Sequence, residues 1–294
     1  MMDFKQYCQT GMALADDFLQ NSLNMGSISK VDEAMHYSLM AGGKRLRPLL
    51  LLAAADTVGG NGRQFLPIAC ALEMIHTYSL IHDDLPAMDN DDYRRGKPTN
   101  HKVFGEDVAI LAGDALLTMA FECMAKQQGV EPKILLEVIG DIAGYAGRSG
   151  MVGGQTIDTL ADREQHILNY EQLRIMHGAK TGALFKAAIC SGGKLGGADN
   201  KQLGALEKFA ADYGLVFQIT DDILDVEGDF ESVGKPIGSD ERNHKVTYVS
   251  TFGLDGAKQK ARELAAQSRQ EMAIFGERAW LLNAFMDQLL TRKS

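Results

Sequence analysis

The chain has 294 residues, of which 45% are hydrophobic and 23% are charged. This composition is typical of a soluble globular protein and excludes a disordered chain. The formal net charge of −9 excludes nucleic acid as a general partner, because binding to a phosphate backbone needs a basic surface.

Long segments rich in Ala, Leu, Met, Glu and Lys, with no proline between Lys133 and Lys235, favour helices. The β-branched run Val246–Thr251 is a strand candidate, but one short strand does not build a sheet. We therefore predict an all-α fold, a bundle of helical hairpins joined by short loops. In chain order the predicted helices are Lys5–Ser22, Val31–Leu39, Pro48–Val58, Leu66–Asp84, Asp107–Gln127, Pro132–Gly150, Tyr170–Ser191, Asn200–Glu227 and Gly256–Thr291, some of them broken internally by glycines.

Three features of the sequence bear on the cellular compartment of the protein. The N-terminal sequence MMDFKQYCQT lacks a basic stretch followed by an apolar run, so we expect no signal peptide. The longest apolar segments, such as Pro48–Ala55, are too short for a membrane-spanning helix, so no stable membrane insertion is expected. The four scattered cysteines show no metal-ligand spacing, which favours reduced thiols. Together these features predict a cytoplasmic protein.

The first chemically suggestive motif is the basic segment Gly42-Gly43-Lys44-Arg45-Leu46-Arg47-Pro48. Glycines let backbone N–H groups approach a phosphate closely, and arginine offers bidentate donors. The segment is not a P-loop, because the spacing and the terminal Ser/Thr are missing. Taken alone, it is equally compatible with a basic loop before a buried helix.

The first acidic motif is Asp83-Asp84-Leu85-Pro86-Ala87-Met88-Asp89, which follows the apolar helical run Leu66–Ile81. Pro86 disfavours helical geometry at Leu85, so the helix is expected to end near Asp84. Carboxylates at the negative end of a helix dipole need compensating positive charge. Divalent cations are natural candidates, since Mg²⁺ binds carboxylates together with waters and substrate phosphates.

The second acidic motif is Asp221-Asp222-Ile223-Leu224-Asp225, within a predicted helix. Asp221 and Asp225 are four residues apart and share one helix face, where they repel each other unless a cation lies between them. Either acidic motif alone is compatible with a surface acidic run. The two together favour metal binding.

Further cations accompany the acidic motifs. Arg94-Arg95 follows the first, Lys180-Thr181 lies between glycines, and Lys235 is ten residues beyond Asp225. Carboxylates for metals together with separate cations indicate two distinct anionic groups. A pocket for two diphosphates fits this set of side chains.

These motifs resemble those of the trans-isoprenyl diphosphate synthases, in particular the bacterial farnesyl diphosphate synthase branch. The resemblance implies one all-α domain over residues 1–294, with helices around a deep central cavity, and a homodimer. The matching segments follow the family order over roughly residues 40 to 250: GGKRLRP, His76, DDLPAMD followed by RR, Gly153-Gly154-Gln155 with Asp158, Lys180-Thr181, FQITDDILD and Lys235.

The resemblance also implies a role for each site residue. Mg²⁺, commonly three ions, would be bound directly by Asp83, Asp89 and Asp221, with Asp84, Asp222 and Asp225 completing or orienting the shells. The allylic diphosphate would be held by Arg94, Lys180 and Lys235, and the isopentenyl diphosphate by Gly43, Lys44, Arg47, His76 and Arg95. Thr181 and Gln218 would lie beside the reacting carbons.

The reaction that the resemblance implies condenses isopentenyl diphosphate with dimethylallyl and geranyl diphosphate to give farnesyl diphosphate. A geranylgeranyl diphosphate synthase of the same family is an alternative, and a non-catalytic prenyltransferase-like partner subunit is another. His82 beside Asp83, with His76 nearby, also allows an HD-type metal phosphohydrolase. That alternative leaves the second acidic motif unexplained.

The resemblance also implies that the product grows into a pocket beneath the first acidic motif, so that product length depends on the residues before that motif. Tyr78 and Ser79 precede Asp83 by five and four residues, which places them roughly 6–7.5 Å below the metal site on a helix. A bulky Tyr78 is expected to form the floor of the product pocket and stop chain growth early. The alternative for Tyr78 is ordinary core packing.

Overall fold

The computed structural model describes residues 3–23, 29–165, 167–227 and 246–292. The predicted all-α fold is confirmed. In chain order the helices are α1 (Phe4–Ser22), α2 (Lys30–Leu39), α3 (Leu46–Val58), α4 (Leu66–Asp83), α5 (Asn100–Phe104), α6 (Glu106–Ala125), α7 (Pro132–Ala146), α8 (Met151–Arg163), α9 (Tyr170–His177), α10 (Ala183–Leu195), α11 (Asn200–Glu227), α12 (Tyr248–Glu271) and α13 (Trp280–Thr291). The shorter elements are the 3₁₀ helices Gly62–Phe65 and Met272–Ala279, the π-helical turn Gly178–Gly182, and an antiparallel hairpin of β1 (Tyr93–Arg94) and β2 (Lys97–Pro98).

The chain divides into two compact units. Unit 1 comprises residues 1–52 and 61–140, and unit 2 comprises residues 53–60 and 141–294. The first acidic motif belongs to unit 1 and the second to unit 2. The single domain and the central cavity remain predictions.

Helix α4 forms the core of unit 1. It is apolar on all sides, and such helices are buried. Ile68, Leu72 and Ile75 have no exposed surface. Its C-terminal half carries the predicted substrate residue His76 and the predicted metal ligand Asp83, where the helix ends with Asp84 as its C-cap, near the position that Pro86 predicted. The buried core therefore fixes the position of the first acidic motif.

Helix α11 has the corresponding role in unit 2. It is 28 residues long and buries Phe209, Tyr213 and Val216 completely. Its aromatic side chains pack against Phe185 of α10, with ring centroids 5.0–5.1 Å apart for Phe217 and Tyr213. The second acidic motif occupies the C-terminal part of this well-packed helix.

The strand candidate was wrong, and two of the predicted helices are broken internally, as expected for some of them. The strand candidate Val246–Thr251 instead leads into α12, which begins at Tyr248. The side chain of Thr247 accepts a hydrogen bond from the N–H of Ser250 and so caps that helix. The predicted helix Tyr170–Ser191 is interrupted by the π-helical turn, and Gly256–Thr291 is interrupted by a 3₁₀ segment that contains Gly276 at φ 57°. Helix α8 was not predicted, since its glycine pair lowers helix propensity.

One described helix, α6, is long and apolar enough to cross a membrane by length and composition alone. A third of its most apolar stretch is buried. Core helices of soluble proteins pass the same test, so one such helix is weak support for a membrane span.

Candidate active site

The first acidic motif closes into a compact loop. The backbone N–H of Asp89 donates to the carbonyl of Asp83 at 2.8 Å, and the N–H of Met88 donates to the carbonyl of Leu85 at 2.9 Å. Asp83 is half-buried and Asp89 is exposed. The loop therefore brings together the backbones of two predicted metal ligands.

Asp84 has a different environment. It is 3% exposed, and both of its carboxylate oxygens accept hydrogen bonds from Arg94 Nε, at 2.8 and 2.9 Å. Arg94 Nη2 adds a third contact at 2.6 Å. Burial raises the pKa of Asp84, and Arg94 only partly offsets that effect. Asp84 thus anchors the hairpin that carries Arg94.

The second acidic motif shows the same division between neighbouring aspartates. Asp222 is 7% exposed, and its Oδ2 accepts a 2.6 Å hydrogen bond from the backbone N–H of Tyr248 at the start of α12. The side chain of Asp221 is 62% exposed and lies 3.2 Å from Arg292 Nη2. In each motif, the first aspartate is accessible and the second is a buried anchor.

These features fit the requirements of magnesium. Mg²⁺ is usually held by one or two carboxylates together with waters and substrate phosphates, and seldom by a cage made of protein alone. Asp83 with Asp89, and Asp221 with Asp225 one turn later, each provide accessible carboxylates of that kind. In the described ranges no three His, Cys, Asp or Glu side chains converge to hold an ion.

A cluster of arginines surrounds His76 in unit 1. The pKa of His76 is lowered well below its ordinary value, first by burial and then by Arg47, Arg95, Arg94 and Arg45. The lowered pKa favours the neutral imidazole, which can donate a hydrogen bond without adding charge. This concentration of cations is suited to an anionic ligand.

The basic loop shapes the same region. Gly43 has φ +139°, and a Cβ there would lie 2.8 Å from Arg95 Nη1. Arg95 Nη1 donates a hydrogen bond to the carbonyl of Gly42. Lys44 is exposed and Arg47 is half-buried. A side chain at position 43 would therefore displace the Arg95 guanidinium, and the positive φ also favours glycine there.

Lys180 of unit 2 is held by a partner on α8. Its Nζ lies 2.6 Å from Asp158 Oδ2, and the two side chains are 26% and 13% exposed. Lys180 lies in the π-helical turn, a distortion that is frequent at functional sites. A Cβ on Gly154 would lie 2.2 Å from the backbone nitrogen of Lys180, so glycine lets α8 approach this turn.

Thr181 and Gln218 lie on elements of unit 2 that pack together. The π-helical turn meets α11 where a Cβ on Gly214 would be 2.9 Å from the Cα of Gly182. Thr181 precedes Gly182, and Gln218 lies one helical turn beyond Gly214; both are half-buried. Lys235 lies outside the described residues.

The predicted chain-length residues lie on α4. Tyr78 is 7% exposed, and its ring meets the ring of His82 edge-on, with centroids 5.7 Å apart. His82 Nε2 in turn lies 3.0 Å from the carbonyl of Ile110 on α6. The half-buried Ser79 donates its hydroxyl to the carbonyl of His76. The roles of both residues remain predictions.

Two residues near the site were not predicted individually. Gln155, one turn before Asp158 on α8, has both side-chain polar atoms buried without a hydrogen-bond partner in the described chain. Arg292 covers the ring of Phe217 at 4.4 Å and donates to the Phe217 carbonyl and to Thr220 Oγ1. The sequence offered a signal for Gln155, its place after Gly153-Gly154. It offered none for Arg292, which is 71 residues beyond Asp221.

Comparison with known proteins identifies the family of the chain. Residues 28–277 match the Polyprenyl synthetase family, so the chain belongs to that family. It is 53% identical to a farnesyl diphosphate synthase of Geobacillus stearothermophilus over 79% of this chain and 78% of the relative. It is 45% identical to a geranylgeranyl diphosphate synthase of Cyanophora paradoxa over 96% of this chain and 94% of the relative.

A solved structure gives the same picture. The apo crystal structure of an FPP/GFPP synthase from Zymomonas mobilis superposes with a TM-score of 0.89 at 36% identity. The match covers 97% of this chain and 98% of that one. The expected membership of the trans-isoprenyl diphosphate synthases is confirmed, and the chain is an enzyme of the trans-prenyltransferase class.

Proposed function

We propose that this chain is a magnesium-dependent farnesyl diphosphate synthase, which condenses isopentenyl diphosphate with dimethylallyl and then geranyl diphosphate. The observation that carries the proposal is the shared construction of the two acidic motifs. Each pairs an accessible aspartate with a buried one that anchors the surrounding backbone. A surface acidic run would not need a buried anchor in both places.

We assign the metal ligands to Asp83, Asp89 and Asp221, with Asp225 completing the set. When bound, Mg²⁺ supplies positive charge that favours departure of the diphosphate from the allylic substrate. Asp84 and Asp222 hold the loops and helix ends that present these carboxylates. The exposure of Asp89 and Asp221, and the partial exposure of Asp83, support this assignment.

In the proposed reaction, two sets of polar and cationic side chains bind the two diphosphate substrates separately. Lys44, Arg47, Arg95 and neutral His76 bind isopentenyl diphosphate, while Arg94, Lys180 and Lys235 bind the allylic diphosphate. Charge on these groups favours cleavage of the allylic C–O bond, and the isopentenyl double bond then attacks the allylic carbon. Thr181 and Gln218 direct oxygen atoms toward that carbon. The departing pyrophosphate accepts the proton lost at the end.

Tyr78 supports the farnesyl product. Its buried ring, in contact with His82, is a bulky side chain five residues before Asp83. The relatives include both farnesyl and geranylgeranyl synthases, so a C20 product is the second candidate. No comparable observation favours the HD-type phosphohydrolase.

The test is a product assay with isopentenyl diphosphate and either dimethylallyl or geranyl diphosphate, with and without Mg²⁺. We expect a C15 product that requires the metal and carries one new C5 unit per cycle. A predominantly C20 product identifies the geranylgeranyl alternative. Substrate binding without any product identifies the non-catalytic partner subunit.

We also propose that the enzyme is a cytoplasmic homodimer. The outer face of α6 supports the dimer, since it exposes Ile110 at 44% and Leu111 at 53%. Leu111→Glu should dissociate the dimer in sedimentation experiments. Leu136→Glu is the matched control, because Leu136 is 71% exposed on α7. A monomeric wild-type chain, or dissociation by both changes, argues against an interface at α6.

A further inference from the structure

Arg45 is oriented differently from the other cations of the basic loop. It lies between Lys44 and Arg47 in sequence, yet it is 2% exposed. Its backbone has φ 46°, in the left-handed region that non-glycine residues seldom adopt. A buried cation in an unfavourable backbone conformation must be held by its surroundings.

Three helices of unit 1 hold the Arg45 guanidinium. Nε donates to Asp16 of α1 at 2.7 Å, and Nη1 donates to Glu73 of α4 at 3.0 Å. Nη2 donates to the carbonyl of Leu39, the last residue of α2, at 2.8 Å. Glu73 is itself 2% exposed, so both members of this ion pair are buried. The planar fork of the guanidinium uses all three of its nitrogens in fixed directions.

The backbone of Arg45 also starts helix α3. Its carbonyl accepts a hydrogen bond from the N–H of Leu49 at 3.1 Å, and α3 begins at Leu46. Arg47 is therefore in the first turn of that helix, and its direction depends on where α3 starts. Lys44 immediately precedes the fixed residue. One clamped side chain thus controls the backbone on both sides of it.

The contacts that Arg45 makes with Asp16, Leu39 and Glu73, called the clamp below, also involve the helix that carries His76. Glu73 lies one turn before His76 on α4, so the two face the same way along the helix. Glu73 also acts electrostatically on Arg95, which lies against Gly42 and Gly43. The clamp thereby connects the loop with the helix that carries His76.

We propose that Arg45 is a positioning residue for the anion-binding loop, residues 42–47, and that Asp16 and Glu73 hold it in place. By this arrangement Lys44 and Arg47 are already placed before the anion arrives. The identity of that anion as isopentenyl diphosphate rests on the proposed function. The proposed role of Arg45 in fixing the conformation of the loop does not depend on that function.

Two measurements test the proposal. In Arg45→Met and Glu73→Gln, the KM for isopentenyl diphosphate should rise about tenfold, while kcat and the KM for the allylic diphosphate stay within about threefold. Amide hydrogen exchange in residues 42–47 should become about tenfold faster, with exchange in α6 unchanged. Glu122→Gln is the control, because Glu122 pairs with Lys126 on the exposed face of α6.

Two further variants sharpen the test. Arg45→Lys keeps the charge but cannot reproduce the three-way fork, so it should leave the KM for isopentenyl diphosphate raised; full recovery would contradict positioning by geometry. Asp16→Asn should destabilise the fold less, since the Asp16 side chain is 48% exposed. This variant replaces the others in both measurements if they do not fold.

Other outcomes also decide the matter. Unchanged exchange in residues 42–47, or an equal rise in both KM values, overturns the proposal. If the wild-type chain makes no prenyl product, the proposed function fails, and the exchange measurement still decides the role of Arg45.

Discussion

The backbone N–H of Tyr248 donates a 2.6 Å hydrogen bond to Oδ2 of Asp222, and both residues are buried. This bond attaches the first turn of α12 to the second acidic motif on α11. An aspartate near a helix N-terminus also interacts favourably with the helix dipole. Asp222 is thus a structural residue of unit 2, although it lies within a motif that the sequence associates with metal binding.

Adjacent aspartates should therefore respond differently to mutation. Asp222→Ala should lower the free energy of unfolding by about 1–3 kcal/mol, because it leaves the Tyr248 N–H buried without an acceptor. Asp221→Ala should abolish turnover with little loss of stability, since Arg292 keeps its contacts with Phe217 and Thr220. Urea denaturation of both variants checks the predicted change in stability, and product formation by both variants checks the predicted change in turnover. Near-normal turnover of Asp221→Ala at saturating Mg²⁺ would contradict the metal assignment.

The second prediction concerns the approach of α8 to the π-helical turn. Gly154→Ala should reduce kcat/KM for the allylic substrate by about tenfold or more, because its Cβ would displace the backbone of Lys180. Steady-state kinetics with the allylic diphosphate varied measures this effect directly.

Gly144→Ala is the matched control for that substitution. Gly144 is within helix α7, and a Cβ there meets nothing within 4 Å. Replacement should leave the kinetics unchanged and stabilise the helix by roughly 0.5–1 kcal/mol. Normal allylic kinetics in Gly154→Ala would show that Lys180 tolerates displacement.

The third prediction is a pH dependence. Burial and the nearby Glu271 raise the pKa of Asp212 on α11 from 3.8 to about 6. The folded state thus holds a proton that the unfolded state releases between pH 4 and 6, so stability falls as pH rises through that range. Asp212→Asn should raise the free energy of unfolding at pH 7.5 by about 1–2 kcal/mol, and the gain should vanish near pH 4.

Denaturation curves at pH 4, 5, 6 and 7.5 measure this profile. Asp255→Asn is the control, because Asp255 is an exposed carboxylate on α12 and its removal changes the net charge equally. A gain for Asp212→Asn that does not depend on pH would mean that general charge repulsion, and not this buried carboxyl, is responsible.

The sequence was sufficient for features that depend on local pattern. The apolar run before Asp83 and the proline at position 86 predicted both the buried helix α4 and its end. The sequence did not predict contacts between residues that are far apart in the chain. Glycines 153 and 154 looked like helix breakers, yet α8 passes through both of them, and at Gly154 the missing side chain allows close packing against the backbone of Lys180. The three-way clamp on Arg45 joins residues 16, 39 and 73, and no spacing rule connects them.

The last prediction concerns product length. Tyr78→Ala should lengthen the product toward C20, because a large side chain no longer closes the pocket below the first acidic motif. Ser79→Phe should shorten it to C10, because an added ring would occupy space that the growing chain needs. Adjacent positions on a helix point about 100° apart, so both changes act only if the pocket is broad.

Tyr78→Phe is the control for product length: it keeps the ring that meets His82 and should keep the C15 product. The readout is the product ratio and not the rate, since loss of a buried aromatic side chain costs about 3–5 kcal/mol and lowers the amount of folded enzyme without redirecting chain length. A C15 product from both Tyr78→Ala and Ser79→Phe would exclude these residues from the pocket and reopen the choice between a farnesyl and a geranylgeranyl synthase.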